Sequence, residues 1–171
     1  REFIPTMNKK RIAIIGAGIG GMTTAVALSQ KNINVSIFEQ APVLSEVGAG
    51  LTVTPNATKG LMYLNLGKEI EKIGMAHEKQ GVRHYKTGDM IVPLHRGKRM
   101  LEQYGAYQFQ LHRADIHDIL VSELRKSSPD SIYVNHQLTD LKESSETVEL
   151  KFSNGKQYEF DFVIGADGNR S

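Results

Sequence analysis

The feature that most constrains this chain is a short apolar strand that runs straight into a glycine cluster. Arg11-Ile-Ala-Ile-Ile15 is followed without a gap by Gly16-Ala-Gly18-Ile-Gly20-Gly21. A β-branched run of this length reads as a buried strand. The uncharged, Ala-, Leu- and Thr-containing stretch from Gly20 to Gln30 reads as the helix that follows. Asn34-Val-Ser-Ile-Phe-Glu39 then alternates and closes on an acid, which makes a second strand. Strand, helix and strand within about 30 residues is the size of one βαβ unit.

That context gives the Gly16-x-Gly18-x-x-Gly21 spacing its meaning. Gly16 permits the tight turn, Gly18 lets the backbone approach a pyrophosphate, and Gly21 lets the helix pack close to the strand. The helix N-terminus offers free N–H groups and a positive dipole end to phosphates. Its first turn, Gly21-Met-Thr-Thr24, carries no acid that would repel an anion. Glu39 stands 23 positions after Gly16, where a carboxylate can accept hydrogen bonds from a ribose diol. The pattern implies a dinucleotide site and does not by itself separate NAD from FAD.

Two further motifs bear on the same site. Phe162-Val-Ile164 runs into Gly165-Ala-Asp167-Gly168. This puts one carboxylate just past a strand end, where ligands bind in open α/β sheets. Taken alone, an Asp before glycine fits an ordinary turn equally well. Arg113, in His112-Arg113-Ala-Asp115, falls at the start of a helix predicted over 114–126, with Ile116, Ile119, Leu120 and Leu124 on one face. A cation there opposes the helix dipole by a few tenths to about 1 kcal/mol. Asp115 or Asp118 would offset this as a structural pair. A pyrophosphate held bidentately by the guanidinium would do so as a ligand. His112, Asp115, His117 and Asp118 lack the spacing of a metal site, and no metal is expected.

The rest of the chain reads as follows. Leu51 to Thr54 is a strand. Thr54-Pro55 supplies an N-cap and an N1 proline for a helix to about Leu66, and Lys68 to Ile73 forms another helical turn or two. Gln80 to Leu94 is a hairpin turning near Thr87-Gly88-Asp89, and Ala106 to His112 is a strand. Beyond Ser131 the pattern is β over roughly 131–135, 137–143, 147–153 and 157–164, with an Asn154-Gly155 hairpin turn.

A chain of 171 residues is long enough for one domain with a real core. A formal charge of +2, with no dense Lys/Arg stripe, argues against nucleic acid. The absence of cysteine excludes disulfides, thiolate metal sites and cysteine nucleophiles. It fits a reducing compartment, and a cytoplasmic location is expected. No apolar run is long enough for a membrane span. Lys9-Lys10-Arg11 before an apolar run imitates a signal peptide, but the glycine spacing explains that run better. Residues 1–6 read as extraneous, with the native start at Met7.

The chain resembles the FAD-dependent aromatic-ring monooxygenases, the flavoprotein hydroxylases, in their salicylate- and urate-hydroxylase-like branch. The resemblance is carried by Gly16-Ala-Gly-Ile-Gly-Gly21, Phe38-Glu-Gln40, Glu46-Val-Gly-Ala-Gly-Leu51, Pro55-Asn-Ala57, His112-Arg-Ala-Asp115 and Gly165-Ala-Asp-Gly168. It runs from about Lys10 to the last residue. It implies an α/β fold: a Rossmann-like FAD-binding domain of the glutathione-reductase type, with a parallel sheet and an inserted antiparallel β-meander. Residues 7–171 would be the N-terminal part of that domain. The substrate-domain and C-terminal segments would lie outside the chain, since the family's closing motif continues to an arginine beyond Ser171.

The resemblance also implies a site map. Gly16, Gly18, Gly20 and Gly21 would meet the FAD pyrophosphate. Glu39 and Gln40 would meet the adenosine ribose, and the backbone of Leu138 the adenine side. Gly50 and Thr52 would lie near the flavin ribityl or ring, and Arg113 against the central part of the cofactor. Asp167 and Gly168 belong to a motif that serves flavin and is linked in this family to NAD(P)H use. The implied reaction has NADH or NADPH reduce FAD. The reduced flavin captures O2 as a C4a-hydroperoxide and hydroxylates a small aromatic or heteroaromatic substrate. No catalytic residue is assigned. Three alternatives remain open: another FAD- or NAD-dependent oxidoreductase, a non-catalytic dinucleotide-binding piece that is inert without the C-terminal remainder of the enzyme, and a βαβ protein that binds NAD for structural or regulatory ends.

Overall fold

The computed structural model describes residues 10–44 and 49–168. The proposed extraneous residues 1–6, the start at Met7 and the stretch Glu46-Val-Gly48 lie outside the described residues. In chain order the elements begin with β1 (Arg11–Ile15), α1 (Ile19–Ser29), β2 (Asn34–Phe38), β3 (Gly50–Val53), α2 (Pro55–Tyr63) and α3 (Gly67–Ile73). Next come β4 (Lys79–Arg83), β5 (Met90–His95), α4 (Lys98–Tyr104), β6 (Phe109–His112) and α5 (Arg113–Ser127). The chain closes with β7 (Ile132–Tyr133), β8 (Leu138–Glu143), β9 (Val148–Phe152), β10 (Gln157–Phe160) and β11 (Phe162–Gly165). Two compact units result. One draws on residues 1–45 and 120–171, the other on residues 46–119. Among the described residues no helix is long and apolar enough to cross a membrane.

The first unit is built on a four-stranded parallel sheet in the order β11-β1-β2-β7. Its centre is closed to water on both faces, as parallel sheets require. Ala13, Ile14 and Ile37 have no exposed surface. Ala13, Ile15 and Phe38 point to one face and meet Leu150, Phe152 and Phe160 of the antiparallel meander β10-β9-β8. Strand alternation leaves Ile14 and Ile37 for the face on which α1 packs. The helix carries no charge, and it buries Gly21, Met22, Ala25, Val26 and Ser29. The expected parallel sheet with an antiparallel meander is therefore present.

The last predicted strand, 157–164, is instead two strands in two sheets. β10 pairs antiparallel with β9, and β11 pairs parallel with β1. The corner between them is Asp161. Its carboxylate accepts from the Arg11 N–H at 2.6 Å, and its own N–H donates to the Arg11 carbonyl at 3.0 Å. A uniform β pattern cannot reveal such a switch, because both halves are equally extended. The segment expected as β over 131–135 is a strand, shorter than its predicted range. It supplies β7, the short outer partner of β2.

In the second unit, β3 pairs antiparallel with β6, and β4 with β5 as a hairpin. Its core comprises Val53, Leu61, Leu64, Leu66, Ile70, Ala106, Phe109 and Leu111. The Thr58 hydroxyl donates to the Tyr107 carbonyl at 2.9 Å, satisfying a buried polar group. Two local expectations differ from the structure. Thr54 occupies the N-cap position, but its hydroxyl turns to the Asn56 side chain and caps no backbone N–H. α2 ends at Tyr63 rather than Leu66, because Asn65 enters the left-handed region at φ +61°. The helix α4 has no counterpart in the local sequence pattern. Its Lys98 N–H is held by the Glu78 carboxylate, a partner 20 residues away that no local pattern shows.

Candidate dinucleotide site

Strand order brings three motifs to one edge. β11, β1 and β2 are adjacent and parallel, so their carboxyl ends lie side by side. Off those ends come the Asp167 turn, the glycine turn and Glu39. This is the edge at which open α/β sheets bind ligands.

The glycine turn is packed beyond what any side chain allows. Gly16 has φ +101°, and a Cβ there would stand 2.4 Å from the Ala166 carbonyl oxygen. The first turn and the Asp167 turn are thus in direct contact, backbone to backbone. A Cβ on Gly21 would fall 1.9 Å from the Gly16 carbonyl oxygen, so α1 rests directly on the turn that precedes it. Gly18 is the N-cap of α1 and adds no side-chain cap. Its carbonyl accepts from the Met22 N–H at 2.9 Å, and the first turn holds no acid. Gly20 faces open space: among the described residues, no atom outside its own stretch of helix lies within 4 Å of a Cβ placed on it.

Glu39 reaches across this turn. One carboxylate oxygen accepts from the Ala17 N–H at 3.0 Å, the other from the Ala41 N–H at 2.9 Å. The sequence assigned Glu39 a ligand role and missed this brace on the glycine turn. The available signal was positional, because an acid ending the strand beside β1 lies next to unpaired turn N–H groups. Gln40 follows and is exposed, as are Asp167 and Gly168. Leu138 begins β8 and packs against the apolar cluster that contains Phe38.

Gly50, Thr52 and Arg113 belong to the second unit. Gly50 is the register partner of His112, and Thr52 that of Gln110. The Arg113 N–H donates to the Ala49 carbonyl at 3.0 Å. Arg113 therefore opens α5 right beside the start of β3. Gly50 and Thr52 are exposed on that ribbon, and Arg113 is half-buried. Among the described residues no three His, Asp or Glu side chains are grouped to hold a metal.

A family model described as an FAD binding domain matches residues 9–171, and the chain belongs to that family. It is 36% identical over 162 residues to 6-hydroxynicotinate 3-monooxygenase of Pseudomonas fluorescens, covering 94% of this chain and 41% of that protein. It is 35% identical to 3-amino-4-hydroxybenzoate 2-monooxygenase of Streptomyces cremeus, over 94% of this chain and 40% of that one. Among solved structures, Klebsiella pneumoniae HpxO with FAD and uric acid aligns with a TM-score of 0.82 at 26% identity, over 98% of this chain and 41% of that one. The chain thus spans about two fifths of the length of the relatives it matches.

Proposed function

We propose that this chain forms the FAD-holding portion of a flavoprotein monooxygenase that uses NAD(P)H and O2 to hydroxylate a small aromatic or heteroaromatic compound. The observation that carries the reading is the convergence of the Gly16–Gly21 turn, Glu39 and Asp167 at three adjacent strand ends. The family match and the relatives named above support the chemistry. When bound, FAD would accept a hydride and activate oxygen.

The residues fit the group. The open face of Gly20 and the acid-free start of α1 suit a pyrophosphate. Glu39 is fixed by two N–H donors yet keeps lone pairs for ribose hydroxyls, because each carboxylate oxygen can accept twice. Arg113 is proposed to hold the middle of the cofactor, Gly50 and Thr52 to border the flavin, and Leu138 to meet the adenine side. The protein's part is to bind, orient and exclude water.

The test is oxygen consumption by the full-length protein with FAD and NADH or NADPH, with and without aromatic substrates such as hydroxylated pyridines and benzoates. Stimulation by an aromatic compound, with a hydroxylated product, supports the reading. Oxidation that ignores aromatics favours another flavin oxidoreductase. A protein that takes up no FAD refutes the cofactor assignment.

Three variants probe the map. Gly20→Ala is expected to raise the stability of the ligand-free protein by up to about 1 kcal/mol, through helix propensity. It should also weaken FAD by about tenfold, through crowding of the pyrophosphate. Calorimetry on both forms measures the two effects. Glu39→Ala is expected to weaken FAD by a few kcal/mol at most. Arg113→Ala should weaken FAD and flatten its salt dependence. Affinity unchanged in a titration removes the residue concerned from the site.

A further inference from the structure

The carboxyl end of β2 is held by a segment that the cofactor motifs do not include. The Glu39 N–H donates to the Tyr133 carbonyl at 2.8 Å, and the Glu39 carbonyl accepts from the His136 N–H at 2.8 Å. Ala41, whose N–H grips the Glu39 carboxylate, has its own carbonyl bonded by the Asn135 N–H at 2.9 Å. To make these bonds the chain turns sharply at Asn135, which sits in the left-handed region at φ +56°.

The His136 side chain closes that turn. Its Nδ1 lies 2.7 Å from the Val134 carbonyl oxygen, which can only accept, so Nδ1 carries a proton. Its Nε2 lies 3.3 Å from the Tyr158 hydroxyl. The ring sits among Phe38, Tyr133, Phe152 and Tyr158, with centroids 5.2 to 5.9 Å apart. One residue therefore ties the meander, the Asn135 turn and the end of β2 together.

We infer that His136 is a positioning residue for the dinucleotide site. Through the main chain it holds the end of β2 so that the Glu39 carboxylate stays on the Ala17 N–H and in reach of the ribose. The inference rests on the reading of Glu39 as the ribose acceptor. His136 acts through Glu39 and not by contact with the ligand.

Two variants separate this role from packing. His136→Phe keeps a ring in the cluster but removes the Nδ1–H. His136→Asn gives up the ring but keeps an N–H that can reach the Val134 carbonyl. The first readout is amide hydrogen exchange in the ligand-free protein. Exchange at Ala17 and Ala41 should rise about tenfold in the Phe variant and stay near wild type in the Asn variant, with Ile14 unchanged in both. The second is FAD titration of the full-length protein in a double-mutant cycle with Glu39→Ala. His136→Phe should weaken FAD about tenfold alone and add nothing once Glu39 is Ala.

Unchanged exchange at Ala17 overturns the inference, and so do strictly additive losses of affinity. Raised exchange with unchanged FAD affinity overturns the role in cofactor binding. If Glu39→Ala alone leaves FAD affinity intact, the ribose reading fails. The exchange data, which need no ligand, then show separately whether His136 holds the strand end.

Discussion

Gly21→Ala is expected to destabilise the first unit by about 3 kcal/mol or more, the upper range for forcing atoms into a packed site. The Cβ would lie 1.9 Å from the Gly16 carbonyl oxygen, and that oxygen belongs to main chain that cannot swing aside. Gly16 is itself fixed against Ala166 and Asp167. Relief therefore requires α1 to lift off β1, which uncovers Met22 and Val26, both fully buried. Amide exchange across β1 and α1, read as local opening free energy, measures the loss. The neighbouring Gly20→Ala change is the control, because it makes the same chemical substitution one residue earlier against open space. Two adjacent Gly→Ala changes should thus shift stability in opposite directions. Equal stability for both variants would mean that the helix adjusts freely and that the tight packing is not a constraint.

The same contrast shows why part of the site was legible in the sequence. The roles of Gly16 and Gly21 are backbone requirements, and only glycine meets them, so the residue type reveals the geometry. Glu39 could be placed because strand length and alternation locate the end of β2. The βαβ unit, the β4–β5 hairpin and α5 were visible for the same reason, since each is defined by local periodicity and turn residues.

What the sequence concealed depends on partners distant along the chain. The corner at Asp161 exists because Arg11, 150 positions earlier, offers its N–H there. The helix α4 forms where Glu78 can cap it, and β7 pairs with β2, more than 90 positions earlier in the chain. His136 carried no signal at all. A lone histidine before a strand reads as an ordinary turn residue until Val134, Glu39 and Tyr158 are seen around it.

Phe38→Ala is the second substitution with a large expected effect, about 3–5 kcal/mol for loss of a buried aromatic side chain. Phe38 is 1% exposed and lies between the parallel sheet and the meander. Its ring stacks on Tyr133 at 5.1 Å and meets Phe152 at 4.6 Å, Tyr158 at 5.3 Å and Phe160 edge-on at 5.7 Å. Removing it deletes the centre of that cluster rather than one of its edges. Phe38→Leu should recover only part of the loss, since it restores volume but gives up the aromatic geometry, worth about 0.5–1.5 kcal/mol per pair. The consequence for binding is distinctive. The Phe38 carbonyl accepts from the Gly16 N–H at 2.7 Å, and Glu39 is the next residue, so the core and the site share one stretch of backbone. The main-chain bond does not need the phenyl ring. Saturating FAD should therefore restore much of the stability of Phe38→Ala through mass action, whereas in Glu39→Ala the ligand should stabilise the protein less than it does the wild type. Thermal melts of both variants across a range of FAD concentrations distinguish the two. A Phe38→Ala variant that melts with the wild type would show that the meander and the sheet are not joined through this ring.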